Sequence, residues 1–263
     1  SENGEISVNE IGTPQGSPIS PILANIYLHY VLDLWFEENW AGKGQMVRYA
    51  DDAVFAFNQE QDAVEFQAAL KSRLETEGSI KLNAEKSGLT RFSKRKPEGD
   101  VPFLGFVLYW GRVGTTKKRT LKVKTAPKKV ASSIQRFKEW IKAERGRHRL
   151  AKLWDLAAAR LRGHYGYYGV TFNSAKLQHY YYACIGELFK WLNRRSQKRS
   201  YDWEGFLRRL HFNPLPEPPK GPELIDITNG LGTKPKRKPK SRVREIRKHG
   251  SERSSGRQRP LFT

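Results

Sequence analysis

Apolar and polar positions divide the chain into a first half that mixes helix and strand and a helical second half. Leu23, Tyr27, Val31, Leu34 and Trp35 recur at helical spacing, so a helix is expected to follow the Gly/Pro-rich segment Gly12 to Pro21. Two apolar runs come next, Met46-Val47 and Ala53 to Phe57, with Tyr49-Ala50-Asp51-Asp52 between them. They predict a hairpin whose turn carries two adjacent carboxylates. Another helix is expected from Gln61 to about Glu77, closed by Gly78. Phe103-Leu104-Gly105-Phe106 begins a strand-like run to Trp110, and Gly111 to Gly114 opens a turn-rich hairpin reaching about Thr125. Lys117, Lys118, Arg119, Lys122 and Lys124 make that hairpin basic.

Beyond it the pattern becomes one-sided and helical. Val130, Ile134, Phe137 and Ile141 form one stripe; Leu150, Leu153, Trp154, Ala157 and Leu161 form a second. A third runs through Leu177, Tyr181, Cys184, Leu188 and Trp191, with Asn173-Ser174 as capping candidates. Trp203, Phe206, Leu207 and Leu210 suggest a short fourth, and helices in such a series imply a small bundle.

Charge placement changes the reading of the first hairpin. Asp is a poor strand residue, and two like charges at a hairpin tip repel unless something positive lies between them. Mg²⁺ suits such oxygens, taking one or two protein carboxylates and completing its shell with water and phosphate. An Asx-type turn is the plainer alternative. Upstream, a Gly/Pro-rich loop feeding a helix N-terminus offers backbone N–H groups to phosphate, or is simply a turn before a core helix.

Together, Gly12-Thr13-Pro14-Gln15-Gly16 and Tyr49-Ala50-Asp51-Asp52 resemble the palm of reverse transcriptases, most closely those encoded by bacterial group II introns. The resemblance covers roughly residues 11 to 212. It implies that Pro14, Gln15, Gly16 and Tyr49 contact the template–primer or the incoming deoxynucleoside triphosphate. It also implies that Asp51 and Asp52 supply two of three metal-binding aspartates for two Mg²⁺ ions. Asn83-Ala84-Glu85-Lys86-Ser87 resembles the family's Asn-x-x-Lys-Ser/Thr element, making Lys86 a candidate general acid for the leaving pyrophosphate, against the plainer reading of a solvated surface charge. Phe103, Leu104 and Gly105 resemble the primer-grip hairpin; an ordinary core strand is the alternative. Arg162-Gly163-His164-Tyr165-Gly166-Tyr167-Tyr168 resembles the core of the maturase domain, with His164 where the family usually has Trp or Tyr. Arg162, Gly163, His164, Tyr165, Tyr167 and Tyr168 are accordingly candidate RNA contacts, while packing is the competing use for each ring.

The family's first aspartate lies on a strand upstream of the Pro-Gln-Gly loop, and Glu2, Glu5 and Glu10 lack that strand context. Because the chain begins at Ser1, the expectation is a C-terminal portion of a longer enzyme, inactive as a polymerase alone and completed by an upstream part or a separate N-terminal reverse transcriptase chain.

Composition agrees with a nucleic-acid partner. The formal net charge is +21, from 48 Lys and Arg against 27 Asp and Glu, which predicts salt-sensitive attraction to phosphate backbones. No apolar run reaches the ~20 residues of a membrane span, so a cytoplasmic ribonucleoprotein setting with no membrane partner is expected. Cys184 alone permits neither an intramolecular disulfide nor a multi-cysteine zinc site. From Lys234 to Arg259 there are twelve Lys or Arg against two Glu, a composition that builds no core.

The expected fold is α+β: a partial polymerase palm of antiparallel sheet and helices over 1–112, a basic hairpin connector over 113–125, a helical thumb/maturase bundle over 126–212, and a Pro-rich linker with a disordered basic tail over 213–263. Two functions are carried forward. One is RNA-directed DNA polymerisation in a complete enzyme acting on intron RNA and a DNA primer or target. The other is a non-catalytic splicing cofactor or remnant that binds intron RNA.

Overall fold

Two hydrophobic clusters organise the chain, one around the first hairpin and one within the helical half. The computed structural model describes residues 18–78, 82–83, 87–95, 98–114, 118–195 and 201–220. Among these, helices and two small antiparallel sheets give an α+β fold.

Helix α1 (Ser20–Leu28) starts with Pro21 in its first turn, where a missing N–H costs nothing. It passes through a π-helical turn (His29–Asp33) into α2 (Leu34–Trp40). The apolar residues of α1 build no core: Leu32 and Phe36, further along, are the buried ones. Strands β1 (Gly44–Tyr49) and β2 (Asp52–Phe57) pair antiparallel with Tyr49 opposite Asp52. Their inward residues Met46, Phe55 and Phe57 pack with α2 and α3 (Glu60–Gly78). Phe66 centres this cluster, with Phe55 at 4.5 Å, Phe57 at 5.0 Å and Trp40 at 5.2 Å between ring centroids. Such aromatic pairs add stability beyond the area they bury.

The second sheet has the order β3–β4–β5, from β3 (Val101–Phe103), β4 (Phe106–Arg112) and β5 (Arg119–Thr125). The Phe103 to Trp110 run is therefore not one strand, because Leu104 and Gly105 form a two-residue turn with φ of 49° and 78°. Positive φ at both central positions matches the twist of the flanking strands, and only the glycine adopts it without strain. β4 and β5 stay paired from Phe106–Thr125 to Arg112–Arg119, so the basic hairpin is continuous with the sheet.

Helices α4 (Pro127–Glu144), α5 (Leu150–Tyr168), α6 (Ser174–Leu192) and α7 (Trp203–Phe212) enclose the larger core. Phe137, Ile141, Leu153, Leu161, Leu177, Leu188 and Phe206 are buried there, on the stripes expected from sequence. Asp202 caps α7 by accepting from the Gly205 N–H at 2.7 Å. Residues after α7 also join this core: Leu215 is buried, Trp154 Nε1 donates to the Asn213 carbonyl, and Tyr165 donates to that of Pro216. The start of the expected linker is thus packed, because these carbonyls satisfy two half-buried donors.

Asn173 departs from its expected role. Its side chain makes no cap bond to α6 and turns back into the protein. Oδ1 accepts from the Thr125 N–H at 2.8 Å, while Nδ2 donates to Thr125 Oγ1 at 2.7 Å and to the Tyr168 carbonyl at 2.8 Å. Fully buried, it joins the end of β5 to the end of α5.

Candidate active site and nucleic-acid interface

The turn between β1 and β2 is anchored by Arg48. Its Nε donates to Asp33 Oδ1 at 2.7 Å and its Nη2 to Oδ2 at 2.5 Å, a two-pronged pair that matches guanidinium to carboxylate geometry. Nη1 donates to Asn25 Oδ1 and to the Ala50 carbonyl, both at 2.8 Å. The Arg48 hydrogen bonds, reinforced by its charge, hold the Asp33 carboxyl below its ordinary value, although partial burial opposes them. Ala50 has φ of 53°, a conformation that costs a non-glycine residue about 1 kcal/mol or more. Arg48 fixes the carbonyl of that strained residue, immediately before the acidic pair.

Asp51 sits in the turn and Asp52 opens β2, both exposed. Neither has an ion-pair partner among the described residues, so their oxygens are available as hard donors. That suits Mg²⁺, which binds through one or two carboxylates plus substrate phosphates. Among the described residues, however, no third acidic or imidazole side chain joins them. Tyr49, opposite Asp52, is 67 % exposed and flanks the pair. Pro14, Gln15, Gly16 and Lys86 lie outside the described residues.

The Leu104–Gly105 turn meets the C-terminal end of α5. Tyr167 donates to the Leu104 carbonyl at 3.0 Å and stacks on Phe106 at 5.7 Å, while Tyr168 meets Phe106 edge-on. The Ala126 N–H donates to the Gly105 carbonyl, tying the turn to the start of α4. A Cβ on Gly105 would lie 3.2 Å from the Tyr168 hydroxyl. Two segments 63 residues apart in sequence therefore form one surface.

Within Arg162–Tyr168, exposure is uneven. Arg162, Gly163 and Tyr167 face solvent. His164 stacks on Tyr180 at 3.6 Å between centroids, and burial, with the positive charge of Arg136 second, pushes its imidazole down to about 4. It is consequently neutral at physiological pH. Tyr165 is buried and donates to Pro216, and burial raises its phenol. Tyr168 is half-buried between His164 and Phe106. Packing occupies these three side chains, leaving Arg162 and Tyr167 as the outward polar groups of the segment.

Sequence reading missed Asn25, Asp33 and Arg48. A signal existed: Asp33 interrupts an apolar helix and Arg48 an apolar strand, and such charges need partners. Their pairing across 15 residues was not readable.

No helix among the described residues is long and apolar enough to cross a membrane. No curated protein matches the chain. Residues 1–108, which carry Pro14, Gln15 and Gly16, the Arg48 anchor and the Asp51–Asp52 pair, match the family model of reverse transcriptase (RNA-dependent DNA polymerase).

Proposed function

We propose that the chain forms the C-terminal part of a group II intron-type reverse transcriptase/maturase, working in RNA-directed DNA polymerisation and in binding intron RNA. The observation that carries this reading is the presentation of Asp51 and Asp52 on an anchored hairpin tip, within the segment that matches reverse transcriptase.

In the reaction, a primer 3′-hydroxyl attacks the α-phosphorus of a deoxynucleoside triphosphate and pyrophosphate leaves. Bound Mg²⁺ would supply charge stabilisation for the attacking and leaving oxygens. Asp51 and Asp52 would hold it, and Arg48 keeps their backbone in place. Tyr49 lies beside them for substrate contact, and Phe103, Leu104 and Gly105 position the primer from a turn braced by Tyr167. Pro14, Gln15 and Gly16 contribute to the substrate site, and Lys86 protonates the leaving group. Arg162, Gly163 and Tyr167 offer an exposed RNA surface, while His164, Tyr165 and Tyr168 support it from beneath. A third carboxylate comes from outside the described residues or from a separate N-terminal chain.

The lack of a third acidic group beside Asp51 and Asp52, among the described residues, favours the second reading for the chain by itself: an intron RNA-binding splicing cofactor. Primer extension on an RNA template separates the two. The chain alone is expected to bind intron RNA without extending a primer; adding a reverse transcriptase N-terminal segment restores Mg²⁺-dependent extension that Asp52→Asn abolishes. Extension by the chain alone, lost in Asp52→Ala, would overturn the need for the third carboxylate. Failure to bind intron RNA would overturn the maturase assignment.

A further inference from the structure

Four cations converge on one ring at the far end of the helical unit. Arg145 lies 4.6 Å from the Trp191 centroid, Arg194 5.2 Å, Lys190 5.7 Å and Lys142 5.9 Å. Two come from the end of α4 and two from the end of α6. Lys142, Lys190 and Arg194 are exposed, whereas Trp191 is only 8 % exposed.

Local structure compensates this charge only in part. The C-terminal ends of the two helices together amount to about one negative charge, and each ring contact adds about 0.5–1 kcal/mol at an exposed site. Of the nearby acids, Glu144 pairs with Arg147 and His148, whereas Glu187 accepts from Trp191 Nε1 at 2.9 Å and so sets one carboxylate beside the ring. None of the four cations forms an ion pair among the described residues, and Arg145 Nη1 is buried without an acceptor. With the helix ends and Glu187 set against the four cations, roughly two positive charges are left uncompensated in a patch centred on one indole.

We propose that this patch, formed by Lys142, Arg145, Lys190 and Arg194 around Trp191, is a docking surface for the phosphate backbone of RNA. It rests on the reading of the chain as an RNA-binding protein, but is a different surface from the Leu104–Tyr167 turn. Helix α4 leaves the sheet at Pro127 and runs 18 residues to Glu144, so the patch lies about 27 Å further along that helix. The ring lies beneath the cations, not outward, which leaves phosphate contact without base stacking. An anionic membrane fits less well, since Trp191 is not exposed for insertion.

The test measures binding of the full chain to a mixed-sequence single-stranded RNA across a salt series. Replacing Lys142, Lys190 and Arg194 together by Gln is expected to reduce the salt slope by about two, from three contacts of ~0.7 each. Charge-keeping replacements, Lys142→Arg, Lys190→Arg and Arg194→Lys, retain the slope. Gln at Lys71, Lys128 and Arg208, exposed cations elsewhere, changes it by less than half as much. An equal change in this control set, or an unchanged slope in the Lys142/Lys190/Arg194 variant, overturns the patch while leaving RNA binding intact. If the unaltered chain binds no RNA, the broader reading fails with it. Loss of binding to phosphatidylserine vesicles with RNA binding unchanged would assign the patch to a membrane and also overturn the proposal.

Discussion

Arg48 grips both carboxylate oxygens of Asp33 and, with its remaining nitrogen, the carbonyl of Ala50, so one side chain joins a helix to the turn bearing Asp51. Arg48→Ala removes this anchor and leaves a partly buried carboxylate without its cation. A destabilisation of about 2 kcal/mol is expected in urea unfolding. Arg48→Lys recovers only part of it, since an ammonium cannot form the two-pronged pair. The Asp33 carboxyl is held below its ordinary value of 3.8, so this stabilisation is complete above that pH and declines as pH falls through the lowered value. The gap between parent and Arg48→Ala should therefore be constant at neutral pH and narrow in acid, leaving the part due to the Asn25 and Ala50 bonds. A gap that does not change with pH would show that the ion pair contributes nothing to it.

Asp51→Asn and Asp52→Asn should separate chemistry from stability. Both side chains are exposed and unpaired among the described residues, so unfolding midpoints should correspond to changes within about 0.5 kcal/mol. In the enzyme completed by an N-terminal segment, loss of metal charge stabilisation should lower the extension rate by at least about a hundredfold. Intron RNA affinity should remain. Equal losses of rate and stability would mean that the carboxylates support the fold.

Asn173→Ala should rank among the most destabilising single changes in the helical half. It strands the Thr125 N–H in a dry environment and takes one of two donors from the Tyr168 carbonyl, which keeps the Val170 N–H, a cost of about 2 kcal/mol. Asn173→Asp should also destabilise, because a carboxylate accepts from Thr125 but repels the Tyr168 carbonyl. Chemical denaturation checks both. A cost for Asn173→Ala below that of removing a solvent-facing cap would contradict the buried bridge.

His164 gives the helical unit a pH dependence. Its imidazole titrates near pH 4 when folded against about 6.5 when unfolded, so the unfolded chain binds the proton more readily. Stability should fall as pH drops from 6.5 to about 4. His164→Phe retains a ring against Tyr180 and should flatten that slope; an unchanged slope would place its origin elsewhere.

The helical half was legible because its information is local. Val130, Phe137 and Ile141, or Leu177, Cys184 and Leu188, repeat on one face, and a helix that buries one stripe must carry such a repeat. The α+β character of the first half followed equally from the apolar runs around Tyr49–Asp52. Partnerships between distant polar groups were not legible. Asn173 before a helix reads as a cap, and only the approach of β5 reveals its bond to Thr125. Leu104 gives no hint of positive φ, since the twist of β3 and β4 imposes it. The tyrosines of Arg162–Tyr168 have similar sequence surroundings, yet helical phase sends Tyr165 inward and Tyr167 outward.

The π-helical turn at His29–Asp33 sets an angular phase. In an unbroken α-helix, positions 25 and 33 would lie roughly 80° apart around the axis. Widening one turn draws them together, and Asn25 and Asp33 both reach Arg48. The helix therefore absorbs a residue: a plain α-helix one residue shorter would hold the two ligands about 20° apart, and the wide turn at His29–Asp33 keeps that phase with the extra residue in place.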